Sequence, residues 1–507
     1  MTTRGAHGMF YSADLLSQAR AFTENEWEKV RADLADLVAI DSAKGQADEA
    51  AGAPYGPGPR KALDAMLAKA QAYGLQVHDC QGRIGYADLP GNGPAADGAG
   101  EGGRKQLGII GHLDTVPAGE GWSSDPHALT EREGLLVGRG VSDDKGPLVC
   151  ALHAVRFWVE RNRAAGTAFP HDLRMLFGCD EESGMGDADW YLQHYAAPDF
   201  LFTPDAEFPV CYGEKGQFQA LIESAPIEDG TIRFLEAGQA VNAVPGTATA
   251  VVLAKAGRLA STTDVSAEPQ PGVFAGGKVP FKVTAHGVAG HAAMPEGSRN
   301  ALAVLARYLL EAGICADAEN TWLRFVEDAA SQTDGQLFGI QTQDADFGPL
   351  TCVAGMARLV PAADGSKAVR FTQSIDCRFP ATITVNGLLE SVKEYVKVSG
   401  LGATVKPLSL VEPLLVDPDT APVKALRQAY AEVSGCDAAP VTMGGGTYAH
   451  HFPVGTSFGA EDLARFPRPE WAGGMHAVDE AVPEDELKQA LTAYIVAIGL
   501  LMDGDLA

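Results

Sequence analysis

Short apolar runs in this chain keep ending at clusters of His, Asp and Glu. Residues 107–110 run into Gly111-His112-Leu113-Asp114, and 135–137 lead through a Gly-rich turn to Asp143-Asp144. Residues 173–177 end at Asp180-Glu181-Glu182, and 200–202 end at Pro204-Asp205. Runs this short and this apolar, bounded by turn residues, read as buried strands. Between them, 147–161 has helical spacing, with Leu148, Ala151, Val155 and Val159 near one face. Strand alternating with helix from 107 to 213 predicts an α/β fold, a mainly parallel sheet flanked by helices. Open sheets of that kind place their sites beyond the carboxyl ends of strands, so these four ends point to one shared metal site.

Helical spacing also marks 25–39, 60–73, 300–312, 388–398, 421–434 and 484–502. Strands are expected near 75–79 and 84–89 and, with an antiparallel texture, at 218–222, 248–253, 281–285 and 369–376. Gly- and Pro-rich stretches at 90–103 and 260–279 read as exposed loops. The change of texture after 213 divides the chain into a catalytic α/β domain, 1–213 and 413–507, interrupted by an α+β lid domain, 214–412, long enough for two subdomains.

Composition narrows the function classes. The 507 residues carry a formal net charge of −27, which argues against nucleic-acid or anionic-membrane partners. No run approaches the roughly 18 apolar residues of a membrane span, and residues 1–16 lack a signal-peptide core. Eight cysteines without a Cys-x-x-Cys pair read as reduced core residues. The expectation is a soluble, cytoplasmic enzyme.

The clusters have specific chemical uses, and each also has a plain structural reading. His112 and Asp114, two apart on an extended segment, point the same way, so the carboxylate can orient a metal-binding imidazole. Asp143 can bridge two ions, or simply cap the following helix. Glu181-Glu182 divides into a ligand and a proton carrier, or is an exposed acidic loop. Asp205 is a further ligand or a turn residue. His476, in Gly473-Gly474-Met475-His476-Ala477-Val478-Asp479-Glu480, is a ligand or a solvated loop side chain.

Together, the order and context of these motifs resemble the aminoacylase/carboxypeptidase family of dinuclear metallopeptidases, within it the PepV-type and Xaa-His dipeptidases. The likeness runs through 111–117, 138–147, 180–184, 204–209, Gly213-Glu214-Lys215-Gly216, 444–449 and 475–480. It implies two divalent cations, zinc first with manganese or cobalt as alternatives. Asp143 would bridge them, His112 and Asp205 would complete one ion's ligands, and Glu182 and His476 the other's. Asp114 would orient His112, and Glu181 would be the general acid/base acting on a bridging water between ions roughly 3.5–4 Å apart.

In the inserted block the resemblance implies that His291 stabilises the oxyanion, Asn242 contacts substrate and Arg378 binds its C-terminal carboxylate. Gly444, Gly445 and Gly446 would let backbone approach the substrate. The chain departs from many relatives at Ala449-His450-His451, where they carry Arg. The expected function is hydrolysis of dipeptides with free termini. The alternatives are an aminoacylase-like deacylase and a non-catalytic relative that binds metal or an amino acid. The small peptide is the expected partner, a monomer should suffice, and the site should complete when the inserted domain closes over the strand ends.

Overall fold

A computed structural model describes residues 8–93, 104–362 and 367–506. Most of the loop expected at 90–103 lies outside these residues. The rest fall in two compact units. The first comprises the chain to Tyr212, Val416–Val441 and the chain from Thr447; the second comprises Gly213–Leu415 and Thr442–Gly446.

The first unit is built on one sheet, ordered Gln76–Cys80, Ile84–Leu89, Asp172–Gly178, Gln106–His112, Phe200–Thr203, Gly455–Ser457. The last four run parallel, and the first two form an antiparallel edge. Gln106–His112, apolar and almost wholly buried, lies in the middle with parallel partners on both sides, as a strand covered on both faces requires. Helix Lys145–Ala165 buries nearly its whole length, including Trp158, and ends where Gly166 takes a left-handed φ of 66°. Helix Glu484–Asp503 is as deeply buried and packs in the same core. Helix Leu15–Val38 starts well before the expected 25, because Leu15, Ala19 and Thr23 continue its buried stripe.

The expectation for residues 135–137 is corrected. Leu135–Val137 is not a strand of the parallel sheet; it pairs antiparallel with Thr130–Arg132 and Ala481–Pro483 in a small separate sheet. A three-residue apolar run carries no information about which partner it finds. The fourth parallel strand is Gly455–Ser457, far along the chain.

The second unit holds an eight-stranded antiparallel sheet, ordered Val265–Pro269, Lys278–His286, Thr247–Lys255, Ile232–Ala237, Thr351–Pro361, Val369–Phe379, Gly216–Glu223, Thr404–Val411. Gly216–Glu223 alternates buried and half-buried positions along its length, the signature of a strand with one face on a core. Leu305, Leu309, Trp322, Phe325, Leu388 and Val392 of helices Ala301–Ala312, Asp317–Ala330 and Val385–Val398 fill that core. Asn300 caps the first by accepting Leu302 N–H at 2.9 Å, and Thr384 caps the third. The stretch 260–279 is not wholly loop: Val265–Pro269 is the edge strand, polar because it has a single neighbour. Among the described residues no helix is long and apolar enough to cross a membrane.

Candidate metal centre

Seven predicted residues of the first unit converge. His112 ends its strand, and Asp114 follows two residues on. Its Nδ1 lies 2.9 Å from the Asp114 carbonyl oxygen and 3.6 Å from that residue's carboxylate. Nδ1–H therefore donates to the carbonyl, and Nε2 is the nitrogen turned toward Asp143. The Asp114 carboxylate instead accepts the N–H groups of Glu181 and Glu182, at 3.2 and 3.1 Å. It fixes the short helical turn Glu181–Ser183 that follows strand Asp172–Gly178.

Asp143 presents its two oxygens to two different groups. Oδ1 is 2.8 Å from His112 Nε2, which is also 3.6 Å from Asp205 Oδ2. Oδ2 is 2.9 Å from His476 Nε2, which is 3.0 Å from Glu182 Oε2. Donor atoms of His112, Asp143 and Glu182 lie within 4.8 Å of one another, as do those of His112, Glu181 and Asp205. Glu181 thus reaches the His112–Asp205 side.

The electrostatics favour cations. Asp114, Asp143, Asp144, Glu181, Glu182 and Asp205 crowd a space holding two imidazoles. Burial alone would lower His112, but Asp143, Asp205 and Glu181 hold it well above the usual histidine range. Hydrogen bonds to Asp143 and Glu182 push His476 up to about 10. Burial pushes Asp114 up to about 7, and burial with Asp205 and Glu182 drives Glu181 well above the usual carboxylate range. Lys145 Nζ, at the edge of this group, donates to the carbonyls of Leu37 and Ile40. Buried like charges persist where cations compensate them, and an N/O donor set of this kind suits divalent ions.

The remaining predicted residues lie in the second unit. Ala243–Val244 and Gly290–His291 form a short ladder pairing Ala243 with His291, and Ala292 N–H donates to the Asn242 carbonyl at 2.9 Å. His291 is exposed, and its Nδ1 accepts Ala293 N–H at 3.2 Å, which makes Nε2 the protonated nitrogen. Gly444 packs on Ala293 so closely that an added Cβ would come to 2.9 Å from the alanine Cβ. Arg378 is 5 % exposed; its Nη1 lies 3.4 Å from the Gly444 carbonyl.

The profile of peptidase family M20/M25/M40 matches residues 108–498. The chain belongs to this family. It is 30 % identical over 492 residues to a Beta-Ala-Xaa dipeptidase of Lactobacillus delbrueckii subsp. lactis, covering 94 % of this chain and 97 % of that one. It is 29 % identical over 489 residues to a putative dipeptidase of Staphylococcus epidermidis, covering 92 % and 95 %. Its fold is shared by human carnosine dipeptidase 1, with a TM-score of 0.56 at 14 % identity and coverage of 96 % and 99 %. The di-peptidase Dug1p of Saccharomyces cerevisiae matches with a TM-score of 0.57 at 12 % identity over the same shares.

In this M20/M25/M40 chain, sequence reasoning missed a supporting layer. Glu480, fully buried, accepts N–H groups of Gly140, Ser142 and Asp143 and pairs with Arg139 at 2.6 Å. Arg139 in turn donates to the Ala477 carbonyl at 3.1 Å. Asp187 accepts from Cys179 N–H, Asp180 N–H and the Tyr448 hydroxyl, setting the approach to Glu181. Asp144, at the start of helix Lys145–Ala165, makes no capping bond there; its carboxylate accepts His112 N–H at 3.1 Å. Glu480 and Tyr448 lay inside the motifs, but nothing in their spacing separates support from chemistry. At the departure 449–451, His451 Nδ1 sits 2.9 Å from Asp189.

Proposed function

We propose that this chain hydrolyses dipeptides with free amino and carboxyl termini, using two divalent cations that His112, Asp205, Glu182 and His476 would hold, with Asp143 able to reach both. One observation carries the reading: each Asp143 oxygen faces its own ligand group, Oδ1 toward His112 and Asp205, Oδ2 toward His476 and Glu182. When bound, such a pair of ions polarises the scissile carbonyl and lowers the pKa of water to near neutrality. Glu181 would take a proton from the attacking water and pass it to the leaving amine; burial, by raising its pKa, brings its acid form within reach. Asp114 holds Glu181 and Glu182 in place through their N–H groups. His291 donates its Nε2–H to the oxyanion, Asn242 contacts the substrate, and the Arg378 fork binds the C-terminal carboxylate, beside backbone at Gly444, Gly445 and Gly446. In this reading 1–213 and 413–507 form the catalytic domain and 214–412 the inserted one. The enzyme works as a cytoplasmic monomer, with zinc the first choice of metal and manganese or cobalt the alternatives.

The test is elemental analysis of the purified protein coupled to a substrate panel, with each metal restored after chelation. Two equivalents of metal and turnover of unblocked dipeptides are expected. Hydrolysis of N-acetyl amino acids but not of free dipeptides would replace the proposal with a deacylase.

A further inference from the structure

Three of the five N–H groups of Arg378 have partners among the described residues. On strand Val369–Phe379, Asp376 and Arg378 are two apart and share one face, while Cys377 between them enters the core. Nε donates to Asp376 Oδ1 at 2.9 Å, and Nη2 reaches Asp376 Oδ2 at 3.4 Å, so one edge of the guanidinium is taken. Nη1 reaches the Gly444 carbonyl at 3.4 Å. One N–H on Nη1 and one on Nη2 are not used by these bonds, and together they form the kind of fork that fits a carboxylate bidentately. Asp376 is itself fixed. It has no exposed surface, and Gln219, directly opposite in the neighbouring strand, donates Nε2–H to its Oδ2 at 2.6 Å.

We propose that Asp376, braced by Gln219, is a positioning residue that aims the remaining Arg378 fork at the carboxylate of the peptide substrate. This rests on the reading of Arg378 as the carboxylate-binding residue. Removing the Asp376 charge would by itself strengthen an anion's attraction to Arg378, whereas freeing the guanidinium would weaken binding. The net attraction of an Arg already paired with Asp376 comes mainly from the direction of its two N–H groups, so the loss of aim wins.

The experiment measures kcat and KM of the metal-loaded enzyme on a dipeptide and on its C-terminal amide, for wild type, Asp376→Asn, Gln219→Leu and Arg378→Gln. For Asp376→Asn, KM for the dipeptide should rise about tenfold, the loss of one charge-assisted hydrogen bond. Its kcat should stay within about twofold, and the preference for carboxylate over amide should shrink with the rise in KM. Gln219→Leu should shift the same ratio less. An unchanged ratio or a lower KM in Asp376→Asn overturns the proposal. If that variant does not fold, an unchanged ratio in Gln219→Leu does so. If Arg378→Gln keeps the wild-type ratio, the reading of Arg378 fails and the proposal with it. If Arg378→Gln abolishes the preference while Asp376→Asn keeps it, only the positioning role is lost.

Discussion

Glu480→Gln is the most exacting test of how this centre is assembled. Asp143 and His476 are separated by more than three hundred positions, and a buried ion pair is among the contacts that join their loops. Glu480 is 0 % and Arg139 2 % exposed, 2.6 Å apart. Glu480 also accepts three N–H groups along the Asp143 loop, from Gly140 at 3.1 Å, Ser142 at 2.9 Å and Asp143 at 3.2 Å. Glutamine keeps the shape but removes the charge, and its amide nitrogen turns a donor toward donors. Removing one partner of a buried pair costs about 3–5 kcal/mol, because the other charge stays buried without compensation. At about 2–4 °C per kcal/mol, thermal unfolding of the chelated protein should move down by roughly 6–20 °C. Metal binding should weaken in parallel, since both loops carry proposed ligands. Differential scanning calorimetry with chelator, and titration of the metal, report the two effects separately. A melting temperature within 2 °C or so of wild type, with wild-type metal affinity, would show that the ligands are placed by something other than this pair.

Two further outcomes are expected. Glu181→Gln should retain both metals while kcat falls about 10²–10⁴-fold, the range of general acid/base catalysis; near-normal turnover would remove Glu181 from the proton path. Asp33 ties three helices together, accepting from His153 and Lys69, each at 2.8 Å, and from Tyr73. Burial raises its pKa, but those hydrogen bonds outweigh burial and hold the carboxyl well below its usual range. A depressed folded-state pKa stabilises fully above the unfolded value of about 3.9 and is lost as pH falls toward the folded one. Asp33→Asn should therefore lower stability by about 2 kcal/mol at pH 7, with the gap closing below about pH 4. Urea unfolding at both pH values checks this, and a gap that stayed constant with pH would contradict it.

Much of this protein is local and so can be read from the chain. Helix Ala421–Ser434 falls where its apolar spacing places it, and Thr247–Lys255 and Lys278–His286 extend the expected strands by a few residues. The strand ends at His112, Glu181-Glu182 and Asp205 are also local events, because an apolar run and the polar cluster that stops it are contiguous. Helices Gly186–His194 and Asp317–Ala330 were missed. The first is short, and the second follows so closely on another helix that its own period is hard to separate.

The sequence determined which residue types were available and where single elements begin and stop, since periodicity and turn chemistry act over a few neighbouring residues. Only the tertiary structure decided that Leu135–Val137 leaves the parallel sheet while Gly455–Ser457 enters it, because strand pairing is a long-range choice that a three-residue run does not encode. It alone showed Asp143 turning one oxygen to His112 and the other to His476, with Glu480 holding the loops that make this possible. It alone showed Arg378 hydrogen-bonded to Asp376, and Gln219 to Asp376. Those geometries come from hydrogen bonds between segments far apart in the chain, and a linear pattern carries no distance between them.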